Sequence, residues 1–179
     1  MKRSDSTHWL GALALATALF GPASNASAQV SASFEAAGNG ASHVRVRLAA
    51  GARGGELRLP VGTVVSTGDD SVQDLALGRE LSVRLGTYET RTVTVESYCL
   101  NENRPPATRG TSLKSTRDGS HEVRQIVAQR RRFSHQAIQQ ALWSLPRWQA
   151  AHTLAERRVL SRQLDRRVRY VLRAAGLVK

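Results

Sequence analysis

The chain contains one cysteine, Cys99, among 179 residues. One thiol excludes an internal disulfide. Three roles remain for it: a buried inert group, an intermolecular bridge, or a reactive side chain kept for chemistry. Metal-binding patterns are missing as well. The five histidines are scattered, no H-x-x-x-H or C-x-x-C spacing occurs, and Asp69-Asp70 sits in a turn without the ligand spacing of a calcium loop. No glycine-rich phosphate cradle is present. No metal and no cofactor is therefore expected.

Long apolar runs are also missing. Leu10 to Phe20 is about eleven residues, too short to span a bilayer but suited to the hydrophobic centre of a secretory signal. Lys2 and Arg3 precede it, and Ala26-Ser27-Ala28 follows as a small-residue cleavage pattern. The expectation is a leader over residues 1–28, cut after Ala28. No transmembrane span should remain, and the mature chain should be secreted or periplasmic.

Acidic residues run short at one end only. Residues 29–123 hold 11 Lys+Arg and 11 Asp+Glu, whereas residues 124–179 hold 13 and 2. Nearly every base there is arginine. The net charge of +12 thus belongs mainly to the C-terminal part.

What is present begins as strands. His43-Val44-Arg45-Val46-Arg47-Leu48, Glu56-Leu57-Arg58-Leu59, Glu80-Leu81-Ser82-Val83-Arg84-Leu85 and Arg91-Thr92-Val93-Thr94-Val95-Glu96 alternate with period two. Gly-rich turns (Gly38-Asn39-Gly40, Gly51 to Gly55, Gly68-Asp69-Asp70) separate them. Short strands with such turns indicate an antiparallel sandwich or barrel. Residues 101–120 read as a polar loop. The period then changes to that of helices: a short one over 122–129, a second from an N-cap at Ser134 and stopping before Pro146, and a third over about 149–175, closed by Gly176. Along the third, Arg158, Arg162, Arg166, Arg169 and Arg173 form one cationic stripe. Such a stripe suits an anionic lipid or envelope polymer, or it is a solvated helix face. Export and the lack of interleaved aromatics disfavour nucleic acid.

Two short segments carry the chemistry: Tyr98-Cys99-Leu100 at a strand end, and Ile138-Gln139-Gln140-Ala141-Leu142-Trp143 on the second helix. Together they resemble the thioester domains of bacterial surface proteins, in which an aromatic-Cys-aliphatic segment is followed by an aliphatic-Gln-x-x-aliphatic-aromatic segment. The stretch from Gly62 to Pro106 is also similar in layout to small exported bacterial proteins bearing the same pair. The resemblance implies that the Cys99 sulfur joins the side-chain carbonyl of Gln139 with loss of ammonia, and that an amine or hydroxyl of a protein or glycan partner then displaces the thiolate. Tyr98 and Trp143 would shield the bond from water. His135, one helical turn before Gln139, is a candidate proton shuttle, or an ordinary surface histidine.

A Cys-His hydrolase is the rival chemistry, with His43, His121, His135 and His152 available. It is disfavoured because Cys99 ends a strand and does not open a helix. The chain is thus expected to be an α+β protein and not an enzyme. Residues 29–145 should form a β-rich thioester-like domain ending in the Gln139 helix, and residues 146–179 a basic amphipathic helix. Its expected function is capture of a surface or envelope partner through Cys99 and Gln139. The alternative is a non-catalytic binding protein with a structural cysteine that engages anionic surfaces through its arginines.

Overall fold

The computed structural model describes residues 30–38, 42–69 and 71–178. The expected leader lies outside them. Nine strands precede the helices: β1 Val30–Ala37, β2 His43–Ala50, β3 Gly55–Leu59, β4 Val64–Ser66, β5 Leu75–Leu77, β6 Leu81–Leu85, β7 Thr90–Cys99, β8 Ser112–Leu113 and β9 Ser115–Arg117. The period-two segments lie on β2, β3, β6 and β7, with the expected burial. Val44, Val46 and Leu48 of β2 face the core, as do Leu81, Val83 and Leu85 of β6.

Seven strands form one antiparallel sheet in the order β8-β1-β2-β7-β5-β4-β9. Its two outer strands are consecutive in sequence. β8 pairs with β1 (Phe34 opposite Leu113), β9 pairs with β4 (Val65 opposite Thr116), and the Lys114 N–H between them donates to the Ser66 carbonyl at 2.7 Å. One stretch, 112–117, therefore bridges both edges and nearly closes the sheet into a barrel. This corrects the reading of 101–120 as an unbroken loop. Period-two alternation is too short to see in two- and three-residue strands. The β3–β6 ribbon forms a separate two-stranded sheet whose Leu81, Val83 and Leu85 join the barrel core.

The helices are α1 His121–Ala128, α2 His135–Ala150, α3 Leu154–Gln163 and α4 Arg166–Ala174, with a 3-10 turn Gln129–Arg131 after α1. Two expectations need correction. The Gln139 helix does not stop before Pro146: α2 runs one turn beyond it, although Pro146 has no N–H to give to the Leu142 carbonyl. The single helix over 149–175 is two helices. Thr153 and Glu156 close a capping box that starts α3 afresh, and the Asp165 carboxylate accepts from the Arg167 N–H to start α4. Among the described residues, 146–178 are thus the end of α2 plus two short helices. The stripe Arg158 to Arg173 is split between α3 and α4.

A second core lies outside the barrel. Ile126 and Val127 of α1, Ile138, Ala141 and Leu142 of α2, and Val168, Val171 and Leu172 of α4 pack around Tyr98 and Ala76. The helical layer therefore sits on the outer face of β5 and β7, against the strand end that carries the cysteine.

Candidate functional site

Alternation along β7 divides the site in two. Val95, Ser97 and Cys99 are buried on one face, and Cys99 belongs to the barrel core. Glu96 and Tyr98 lie on the other face, where Tyr98 enters the helical core.

The backbone of Cys99 has a particular need. The Leu100 N–H donates to the Asp74 carbonyl on the β5 side, and the Ser97 N–H donates to the Ser42 carbonyl on the β2 side. Among the described residues the ladder between β2 and β7 ends at His43 opposite Glu96. The side chain of Gln139 meets the Cys99 backbone on that side. Its Oε1 accepts from the Cys99 N–H at 2.9 Å, and its Nε2 donates to the Cys99 carbonyl at 2.5 Å. Residues 40 positions apart in sequence are joined by both halves of one amide. Cys99 and Gln139 therefore meet. The Cys99 thiol is buried, and burial pushes its pKa up to about 11.

Beside this pair is a polar cluster. Glu96 Oε1 accepts from the Tyr98 hydroxyl at 2.9 Å and lies 3.0 Å from His135 Nδ1. The His135 ring stacks on Tyr98, with centroids 4.5 Å apart and planes at 20°. Burial alone would raise the Glu96 pKa. The hydrogen bonds from His135 and Tyr98, with the nearby charges of His135 and Arg130, outweigh it and hold the carboxyl below its usual range. Burial and the Glu96 carboxylate together push the Tyr98 phenol up, so it stays protonated. Glu96 was not among the residues singled out in the sequence. Its signal was the alternation itself, since Glu96 and Tyr98 share a face at i, i+2. Gly78 makes the close fit possible. Its N–H donates to the Glu96 carbonyl at 2.6 Å, and a Cβ there would lie 2.9 Å from that oxygen and 3.2 Å from the Tyr98 ring.

Trp143, one turn beyond Gln139 on α2, packs against the barrel core to which Cys99 belongs. Its buried Nε1 has no hydrogen-bond partner among the described residues. The five candidate arginines lie elsewhere. Arg158 and Arg162 are exposed on α3, Arg166 and Arg173 are exposed on α4, and Arg169 is half-buried. Among the described residues no group of histidines, cysteines and acids could hold a metal ion, and no helix is long and apolar enough to cross a membrane.

No family model, no curated protein and no solved structure matches this chain.

Proposed function

We propose that Cys99 and Gln139 form an internal thioester and that the protein is a covalent-capture module similar to the thioester domains. The observation that carries this reading is the two-way hydrogen bonding of the Gln139 amide to Cys99 itself. The Cys99 N–H donates to Gln139 Oε1, the atom on which negative charge develops when the thiol attacks the amide carbon. In the forming step the Sγ–Cδ bond is made and the Cδ–Nε2 bond breaks. The thiol proton leaves on ammonia, so no further reactant is needed. In the capture step a partner amine attacks Cδ, a new amide forms, and the sulfur departs to regain a proton as the thiol. A thiol that ionises only near pH 11 is a poor leaving group unless its charge is met. The buried indole N–H of Trp143 has no hydrogen-bond partner among the described residues, and its ring packs against the core that holds Cys99. In this reading His135, held by Glu96 on the other face of β7 and one turn before Gln139 on α2, moves the protons.

The second reading is a structural cysteine, favoured by the burial of Cys99 and by the hydrogen bonds that tie the Gln139 amide to its backbone. One measurement separates the two. If the thioester forms, the intact mass of the purified protein is lower by about 17 Da, the ammonia lost on acyl transfer to sulfur. Adding methylamine then raises the mass by one methylamine and makes Cys99 reactive to thiol reagents. An unshifted mass in the native protein eliminates the thioester and leaves the structural cysteine.

A further inference from the structure

Arginines are treated differently in the two layers of this protein. In the barrel part six of them face carboxylates: Arg45 and Arg47 with Glu35, Arg58 with Glu80, Arg84 with Glu56, Arg91 with Glu89, and Arg117 with Asp74, while Arg79 donates to the Thr94 carbonyl. On α3 and α4, the side chains of Arg158, Arg162, Arg166, Arg167, Arg169 and Arg173 make no ion pair among the described residues. The two acids in that stretch are engaged by the backbone. Glu156 accepts from the N–H groups of His152 and Thr153, and Asp165 accepts from that of Arg167. The guanidinium charge of this surface is therefore left for something outside the chain.

The helix α3 has a second peculiarity. None of its ten residues is buried. Helices this short are marginal in water and normally depend on burying an apolar face. Its half-buried side holds Leu160 and Ser161. Leu154 and Arg158 border a hollow shared with Trp148 and Leu177, Ala155 and Val159 border another shared with Arg147 and Ala150, and Arg162 lies on the exposed arc between. Leu154 is 76% exposed and Val159 53%. Exposed aliphatic side chains thus flank the unneutralised arginines of α3 on both sides.

We infer that α3 is a membrane-surface element that lies in the plane of a bilayer of anionic phospholipid. Headgroup phosphates meet Arg158 and Arg162, and Leu154 and Val159 enter the boundary with the acyl chains. Lipid is favoured over a soluble polyanion because a polyanion would satisfy the arginines and leave the two aliphatic side chains in water. This inference is independent of the thioester.

The test uses the chain from Gln29 onward, with phosphatidylglycerol-containing vesicles and vesicles of phosphatidylcholine alone. Cosedimentation is expected with the first and not the second, weakening as salt is raised. Arg158→Gln with Arg162→Gln should weaken it about tenfold or more. Leu154→Ser with Val159→Ser should weaken it as well, without altering the far-UV spectrum, since neither side chain is buried. Failure of the unmodified chain to bind the anionic vesicles overturns the inference. So does binding that the Leu154/Val159 variant retains in full and that heparin supports equally, which assigns the arginines to a soluble polyanion.

Discussion

At the end of β7, the side chain of Gln139 does what a neighbouring strand does elsewhere. It supplies an acceptor and a donor to one residue, and that residue is Cys99. Removing it has a cost on either functional reading. Gln139→Ala leaves the Cys99 N–H and C=O without these partners and should destabilise the fold by about 1–3 kcal/mol in urea unfolding, the usual cost of a buried polar group left unsatisfied. The same variant cannot form a thioester, so its thiol is open to titration. Burial raises the pKa of Cys99 above its unfolded value. The neutral thiol is then favoured in the folded protein. Its contribution to stability is intact below the unfolded pKa and is lost as pH rises through about 11. Alkylation of folded Gln139→Ala protein should accordingly be slow at pH 7 and climb steeply toward pH 11; rapid labelling at neutral pH would contradict the burial. The residue types of this pair were readable in the sequence. Their meeting was not, because it depends on how α2 packs against the end of β7, and no local pattern encodes that.

The helical elements turn on capping. The arginine spacing from 158 to 173 fits one continuous helix, and period alone favours that reading. The chain breaks twice because Thr153 and Asp165 offer side-chain acceptors to backbone N–H groups that a continuous helix would bond internally. The signal was present as Thr153-x-x-Glu156, a capping box lying inside an apparently regular pattern. Since α3 buries nothing, its caps matter more than those of a packed helix. Thr153→Ala should cost about 1 kcal/mol. The loss should fall on α3 alone, as faster amide exchange over residues 157–163 with little change in the barrel strands. Exchange slowed uniformly, or accelerated equally in β2 and β7, would mean that α3 is coupled to the whole fold. At Pro146 the sequence misled in the other direction. A proline usually ends a helix, but α2 carries enough of the helical core ahead of it (Ile138, Ala141, Leu142, Leu145) to continue through.

For the whole molecule, the class of fold followed from composition: alternating strands first, helices later, and charge concentrated in the helices. The near-closure of the sheet was not visible, because its closing strands are two and three residues long. Leu113 is the anchor of that closure, buried against the barrel core and opposite Phe34. Leu113→Ala should destabilise by about 2–5 kcal/mol, as truncation of a buried leucine does. It should also raise light scattering on storage more than a core truncation of equal cost in β6, because it frees two strand edges at once. Equal scattering from the two variants would show that residues 112–117 do not guard those edges.

The same stretch sets an order in time. A ribosome delivers this chain from its N-terminus, so β1 and β4 exist long before residue 112 arrives. Phe34 must wait through 79 further residues for Leu113. During that interval both edges are unpaired and able to accept any strand that passes, including one from a second nascent copy. Conditions that slow delivery of the middle of the chain should therefore reduce the yield of folded protein more than its final stability would suggest.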